Sequence, residues 1–139
     1  MKRILGLDLG TRTLGVSISD PLGIIASGVE TFRFKDSDFD SAVEYVVKTV
    51  QEKNVSEIVI GLPKHMNGDL GDKAQLVMEF SKKIQEKIDI KIVQMDERWT
   101  TKVAERRLLD ADLSRKKRKT VIDKMAAVEI LQNYLDMKK

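Results

Sequence analysis

Alternating apolar and polar positions dominate the first quarter of the chain. Between positions 3 and 9, Ile4, Gly6 and Asp8 fall on one side of an extended strand, and leucines fall on the other. Two further extended patterns follow after short turns. The three predicted strands span residues 3–9, 13–19 and 24–34. Their short connections predict an antiparallel meander.

Helical periodicity begins near position 36, with short apolar segments between the helices. The first predicted helix has one apolar face, formed by Val43, Val46, Val47 and Val50. The predicted helices span 36–53, 73–87, 100–109 and 120–137, the strands between them span 57–62 and 90–95, and loops cover 63–71 and 112–119. Parallel crossovers need intervening helices, so the first, fourth and fifth strands should run parallel. We therefore expect a single α/β domain over residues 1–139, with a mixed five-stranded sheet flanked by helices.

The composition is typical of a globular protein from a reducing compartment. Hydrophobic residues make up 42% of the chain, and there is no cysteine. A disulfide framework and a thiolate metal site are both excluded. The chain has neither a signal-peptide pattern nor a run of about 20 apolar residues. We expect a cytoplasmic protein that has no membrane partner.

Positive charge is concentrated in the last third of the chain. Residues 98–139 carry 12 Lys and Arg against 6 Asp and Glu, although the net charge of the whole chain is only +3. Such an asymmetry favours an anionic partner, and nucleic acid is the leading candidate. A solvated basic surface is the alternative.

Two carboxylates occupy positions where an apolar residue would be expected. Asp8 lies between Leu7 and Leu9 in a strand that should be covered on both faces. Asp123 begins the sheet-facing stripe of the last helix, because apolar residues follow it at helical spacing. Each position also has a structural explanation. Asp8 would cap the turn at Gly10, and the Asp123 carboxylate would interact favourably with the dipole of the last helix.

A third carboxylate, Glu97, lies two residues after the end of the predicted strand 90–95. Ligand sites in open α/β sheets gather at the carboxyl ends of parallel strands, and Asp8 and Glu97 both occupy such ends. A fourth strand between the first and the fifth would leave their backbones about 9–10 Å apart. The last helix would then bring Asp123 to the same point. Three carboxylates without cysteine favour Mg²⁺ or Mn²⁺, and a pair of such ions suits in-line phosphodiester hydrolysis.

A basic run precedes Asp123 within the predicted loop 112–119. It consists of Arg115, Lys116, Lys117, Arg118 and Lys119. We expect this loop to bind phosphate and to be poorly ordered without nucleic acid, although a solvated run is the usual alternative. Further candidates for phosphate contact are Arg98, Thr100 and Thr101 after Glu97, and Arg12 in the first turn. Helix capping is the alternative for the two threonines.

Four motifs occur in a characteristic order at residues 6–16, 61–68, 96–101 and 121–127. With these motifs the chain resembles the YqgF/RuvX family over essentially its whole length. The resemblance implies a ribonuclease H-like fold and a role for Asp8, Glu97 and Asp123 as metal-binding catalytic carboxylates. Related resolvases carry a further acidic residue one helical turn after the last Asp, where this chain has Ala126. Members of the family are described as pre-16S rRNA processing nucleases, and some as Holliday junction resolvases.

The resemblance implies a nuclease that processes the 5′ end of pre-16S rRNA, with cleavage of branched DNA at four-way junctions as the alternative substrate. Either a monomer or a homodimer is compatible with the sequence, and a homodimer would suit junctions. Two other functions stay open. The segment Asp8–Thr11 also fits the phosphate hairpin of an actin-like ATPase, although 139 residues supply only one lobe. A non-catalytic nucleic-acid-binding protein would keep the basic run and not depend on the carboxylates.

Overall fold

Five strands form one mixed sheet in the computed structural model, which describes residues 3–10, 12–36, 38–62, 71–96 and 115–137. The strands are β1 (Arg3–Leu9), β2 (Thr13–Ser19), β3 (Ala26–Arg33), β4 (Val55–Leu62) and β5 (Lys91–Asp96). The helices in these ranges are α1 (Phe39–Lys53), α2 (Gly71–Lys87) and α3 (Arg115–Met137). None of these helices is long and apolar enough to cross a membrane.

The strand order is β3-β2-β1-β4-β5. The first three strands pair antiparallel, whereas β1, β4 and β5 run parallel. This confirms the predicted meander and the predicted parallel strands. The fourth strand lies between the first and the fifth, which is the condition under which Asp8 and Glu97 were expected to share one edge. The carboxyl ends of β1, β4 and β5 therefore share one edge of the sheet, which we call the carboxyl edge.

Two hydrophobic clusters lie on opposite faces of the sheet. On one face, α1 and α2 cover the larger cluster, which includes Leu5, Leu7, Leu14, Val43 and Phe80. On the other face, α3 covers a smaller cluster, which consists of Ile4, Val59, Ile130, Leu131, Tyr134 and Leu135. Burial of each large aliphatic side chain contributes about 1.5–3 kcal/mol. Because apolar side chains of β1 point to both faces of the sheet, helices pack against β1 on both faces.

The last helix differs from its predicted extent. It begins at Arg115, so residues 115–119 are helical and do not belong to the predicted loop 112–119. Lys and Arg are good helix formers, and extending an existing helix is far easier than starting one. The predicted helix began only at Thr120 because the basic run before it has no apolar face. The predicted helix 100–109 and most of the predicted loop 63–71 lie outside the described residues.

Smaller differences affect other boundaries by two or three residues. The first helix begins at Phe39 instead of position 36, and β4 begins at Val55 instead of position 57. The first helix ends at Lys53 and is capped by Asn54, which adopts the left-handed conformation and donates its backbone N–H to the Val50 carbonyl. That arrangement is a common helix C-cap.

Candidate active site

Asp8 lies at the carboxyl end of β1 and is half-buried. The strand alternates, so Asp8 shares the α3 face of the sheet with Ile4 and Gly6. Its cross-strand neighbour on β2 is Gly15, and Gly15 in turn pairs with Thr31 on β3. Gly15 is buried, so the sheet is covered on this side of Asp8.

Helix α3 crosses the sheet unusually closely at Gly6. A Cβ placed on Gly6 would come within 2.7 Å of the Leu131 Cβ and closer still to the Ser17 Oγ. The Ser17 hydroxyl donates a hydrogen bond of 2.8 Å to the Ala127 carbonyl. Both contacts require a small residue on the sheet, and together they fix Ala127 above β1 and β2.

A second contact fixes the direction of α3. The Gln132 side chain donates to the Ile24 carbonyl and accepts from the Ala26 backbone N–H, each at 2.9 Å. These two residues adjoin the β2–β3 turn, at the amino end of β1. The helix therefore runs from the carboxyl edge toward the amino end of β1, and its residues before Ala127 lie toward the carboxyl edge.

Of the other predicted site residues, some lie within the described residues and some lie outside them. Asp123 is part of α3, one turn before Ala127, and Arg115–Lys119 form the first turns of the same helix. Glu97 comes directly after β5, which ends at Asp96 beside Leu62 of β4. Glu97, Arg98, Thr100 and Thr101 lie outside the described residues. Within the described part of the chain, no group of three or more Asp, Glu or His residues is arranged to hold a metal ion.

Arg12 lies in the β1–β2 turn at the carboxyl edge. Its carbonyl accepts a 3.0 Å hydrogen bond from the Phe34 N–H, which ties this turn to the end of β3. Its guanidinium is exposed and lies 3.7 Å from the carboxylate of Asp36. An exposed pair of this kind contributes at most about 1 kcal/mol, so a phosphate can readily replace Asp36.

Another buried carboxylate lies at the opposite end of the sheet. Glu57, near the start of β4, accepts a hydrogen bond from the Tyr134 hydroxyl and lies 3.7 Å from the Lys91 ammonium group. These partners satisfy a buried charge, as buried carboxylates require. Glu57 thus has a structural role away from the carboxyl edge.

Sequence reasoning did not identify the residues that bring α3 close to the sheet. Gly15, Ser17 and Ser19 alternate with larger apolar residues along β2. A row of small residues on one face of a strand indicates the close approach of another backbone. This pattern was the available signal for the helix crossing.

Solved structures of junction resolvases share this fold. One is described as "T. thermophilus RuvC in complex with Holliday junction substrate"; it has a TM-score of 0.62 and 12% identity, and the match covers 99% of this chain and 96% of that chain. A fowlpox virus resolvase in complex with Holliday junction DNA has a TM-score of 0.61 and 10% identity, with 98% of each chain covered. At such identities the likeness establishes the fold alone, which is the ribonuclease H-like fold of this class of nuclease.

Sequence comparison narrows the class further. A protein of Oceanobacillus iheyensis is 48% identical over 136 residues, which cover 98% of this chain and 99% of the relative. A protein of Clostridium botulinum is 52% identical over 134 residues, which cover 96% of each chain. Both are named "Putative pre-16S rRNA nuclease".

The family profile described as "RuvX: Holliday junction resolvase" matches residues 2–137. The chain belongs to the RuvX family. The resemblance seen in the four motifs is thereby confirmed, as is the expectation of a hydrolase that acts on phosphodiester bonds of nucleic acid. Membership of a nuclease family also argues against the actin-like ATPase alternative.

Proposed function

We propose that this chain is a cytoplasmic, divalent-metal-dependent nuclease of one domain that processes the 5′ end of pre-16S rRNA. The observation that carries the proposal is the crossing of α3 over β1 at Gly6. It directs the helix turn that contains Asp123 toward the strand end that contains Asp8. The names of the close relatives support the choice of RNA substrate.

The geometry of this crossing supports a meeting of the two carboxylates. From the contact between Gly6 and Ala127, Asp8 is two residues further along β1, a distance of about 7 Å. Asp123 is four residues back along α3, a distance of about 6 Å in the same direction. The two distances are nearly equal, so the backbones of Asp8 and Asp123 lie about equally far from the contact at Gly6, toward the carboxyl edge.

The register of the sheet supports Glu97 as the third carboxylate. Val93 and Met95 pack against the α3 cluster, so they share the face of Asp8. A further step of two residues along β5 predicts the same face for position 97. Since β4 separates β1 from β5, the backbones of Asp8 and Glu97 would lie about 10 Å apart across the edge.

These donors suit a hard divalent cation, because Mg²⁺ and Mn²⁺ prefer carboxylate oxygens. Asp8, Glu97 and Asp123 are the residues that would hold it. Ala126, where related resolvases are acidic, is buried, so we propose a site of three carboxylates. When bound, divalent ions supply water activation and charge stabilisation at the scissile phosphate.

Basic residues around the carboxyl edge would hold the nucleic acid backbone. Arg115, Lys116, Lys117, Arg118 and Lys119 begin α3, whose amino end lies toward this edge. Arg12 lies in the adjoining β1–β2 turn. Arg98, Thr100 and Thr101 directly follow Glu97 in sequence. Phosphate contacts of this kind fix the position of the substrate but carry no sequence information.

Junction resolution is the second candidate function. The family description names a Holliday junction resolvase, and two structures with this fold are complexes with junctions. A homodimer would present two sites to the two strands that a junction requires to be cut, whereas a monomer suffices for one RNA end. The oligomeric state in solution, measured with and without substrate, separates these requirements.

A panel of substrates tests the proposed function. The panel contains a pre-16S rRNA 5′ leader, a four-way DNA junction, single-stranded RNA and duplex DNA, each incubated with Mg²⁺ and with Mn²⁺. We expect cleavage of the RNA leader. Asp8→Asn, Glu97→Gln and Asp123→Asn should each reduce the rate at least about 100-fold while binding persists. Asp40→Asn, an exposed carboxylate on α1, is the control and should cleave normally.

Two outcomes would count against the mechanism. If cleavage in Mn²⁺ survives both Asp8→Asn and Asp123→Asn, the proposed carboxylate site is wrong. Binding of the RNA without cleavage by any variant, including the natural chain, would support the non-catalytic alternative.

A further inference from the structure

The hairpin that joins β1 to β2 places a threonine hydroxyl close to the end of β1. Thr13 is the first residue of β2, and its carbonyl accepts a 2.7 Å hydrogen bond from the Gly10 N–H. A Cβ placed on Gly10 would lie 3.0 Å from the Thr13 Oγ1. The hydroxyl is therefore turned toward the end of β1 and lies against the space that a side chain at position 10 would occupy.

Thr13 and Asp8 lie on the same face of the sheet. Asp8 pairs with Gly15, and Thr13 is two residues before Gly15 on β2, nearer the carboxyl edge. Because side chains alternate along a strand, Thr13 shares the α3 face with Asp8. The Cα atoms of such diagonal neighbours are about 7–8 Å apart, and their Cβ atoms are closer. Side chains in strands lean along the strand direction, so a carboxylate and a hydroxyl that turn toward each other can form a hydrogen bond across this diagonal.

The other hydroxyls on this face of β2 serve groups away from the carboxyl edge. The Ser17 hydroxyl donates a 2.8 Å hydrogen bond to the Ala127 carbonyl. The Ser19 hydroxyl accepts a 2.8 Å hydrogen bond from the Ile4 N–H, at the amino end of β1. Thr13 is therefore the β2 residue whose hydroxyl lies at the level of the candidate site.

We propose that the Thr13 hydroxyl donates a hydrogen bond to the Asp8 carboxylate and so holds it in the orientation that binds the divalent cation. A carboxylate has two oxygens, so one can accept this hydrogen bond while the other remains for the cation. Hydrogen-bonding partners of this kind orient the ligands of a metal ion and raise its affinity. Thr13 is thus a positioning residue that acts through Asp8. The inference rests on the proposed function, because it takes Asp8 to be a metal ligand.

Binding of Mn²⁺ to the protein without nucleic acid tests the proposal, with free Mn²⁺ measured by electron paramagnetic resonance. Thr13→Val replaces the hydroxyl by a methyl group and should weaken Mn²⁺ binding at least about 10-fold. Thr13→Ser keeps the hydroxyl and should bind Mn²⁺ as the natural chain does. Valine forms strands as readily as threonine, so Thr13→Val should stay folded, which thermal unfolding without metal verifies.

Thr31→Val is the matched control. Thr31 pairs with Gly15 on β3, so it lies on the same face of the sheet as Thr13, and both threonines are half-buried. The full width of β2 separates Thr31 from Asp8, which leaves about 10 Å between their backbones. The control makes the same chemical change out of reach of the carboxylate and should bind Mn²⁺ normally. Equal losses of Mn²⁺ affinity in the two valine variants, or an equal loss in Thr13→Ser, would overturn the proposal.

Cleavage separates a weakened metal site from a weakened contact with the nucleic acid. The substrate is the RNA leader or whichever member of the panel the natural chain cleaves. Thr13→Val should need at least about 10-fold more Mn²⁺ for half-maximal cleavage. Its affinity for the substrate without divalent metal should stay unchanged. Normal Mn²⁺ binding together with weaker substrate binding by Thr13→Val would mean that the hydroxyl contacts the nucleic acid, and the proposal would be wrong.

The two proposals fail in different ways. If the natural chain binds Mn²⁺ and Asp8→Asn does not, but Thr13→Val binds it normally, only the role of Thr13 is wrong. If the natural chain binds no Mn²⁺, or Asp8→Asn binds it as tightly as the natural chain, the proposed metal site and the role of Thr13 both fail.

Discussion

At the scale of single residues, Asp20 organises the turn between β2 and β3. Its Oδ1 accepts backbone hydrogen bonds from Ile24 and Ile25, at 2.7 and 3.0 Å. Gly23 within the turn has a positive φ of 70°, a conformation that costs other residues energy. The hydrogen bonds from Ile25 and Ile24 lower the pKa of Asp20 below its usual 3.8, because they favour the charged carboxylate.

The lowered pKa of Asp20 predicts a defined dependence of stability on pH. Because the folded pKa lies below the unfolded value, the charged carboxylate stabilises the fold above pH 3.8, and this contribution disappears as the pH falls through the folded pKa. Asp20→Asn keeps an acceptor oxygen but removes the charge. It should be less stable than the natural chain at neutral pH and equally stable in strong acid. Urea denaturation across this range measures the difference.

Gly23→Ala is the control for this pH series, since it changes the same turn without a titrating group. It should lower stability by about 1 kcal/mol at every pH, because alanine is strained at positive φ. A stability difference between the natural chain and Asp20→Asn that is the same at all pH values would contradict the role of the Asp20 charge.

At the scale of elements, the contact between α3 and β1 positions the candidate site. The helix can approach the sheet because Gly6 has no side chain and because Ser17 satisfies the Ala127 carbonyl. The apolar residues of the same helix, including Leu131, then seal the sheet on this face. A change at Gly6 should therefore alter both stability and the position of the helix turn that contains Asp123.

Gly6→Ala tests this coupling. The added methyl group must displace the Leu131 Cβ, a rigid neighbour, as well as the Ser17 hydroxyl. We expect a loss of about 1–3 kcal/mol in the free energy of unfolding and a reduced cleavage rate in the protein that stays folded. Denaturant unfolding and single-turnover cleavage measure the two effects.

Ser17→Ala is the partner change for Gly6→Ala. Alone it should cost about 1 kcal/mol, because one hydrogen bond to the Ala127 carbonyl is lost. Combined with Gly6→Ala, it removes one of the two clashes, so the double variant should be more stable than the sum of the single losses predicts. Full stability and activity of Gly6→Ala would show that the gap between helix and sheet is wider than these contacts indicate.

At the scale of the whole molecule, charge is distributed unevenly around the sheet. The basic start of α3 belongs to the end of the helix that lies toward the carboxyl edge, whereas α1 and α2 cover the opposite face. A nucleic acid bound at the carboxyl edge would release counterions chiefly from contacts with this basic start. The salt dependence of binding should then depend on where a positive charge is removed, and not only on how many charges are removed.

The triple variant Arg115→Gln, Lys116→Gln and Arg118→Gln tests this distribution. We expect the slope of log K against log salt to fall by about two to three, because each lost phosphate contact contributes about 0.7–0.9. The matched control replaces Lys48, Lys82 and Lys87 of α1 and α2 by Gln, which removes the same total charge. Equal slopes for the two triple variants would mean that net charge alone drives binding.

Much of this architecture follows from local sequence pattern. The alternation in residues 3–9 and 13–19 predicts β1 and β2 with their observed bounds, and helical spacing predicts the buried face of α3. The out-of-place Asp8 and Asp123 were recognisable for the same reason. The spacing of apolar residues is a property of each segment, so it can be recognised without knowing which other segments pack against it.

The sequence alone determined most of the described strands and helices, the mixed sheet and the family, whereas the tertiary structure decided how α3 crosses that sheet. Two contacts determine this crossing. Gly6 has no side chain that would keep the helix away, and Gln132 forms hydrogen bonds at the β2–β3 turn. Such relations join residues that are distant in the chain, and local periodicity carries no information about which faces meet.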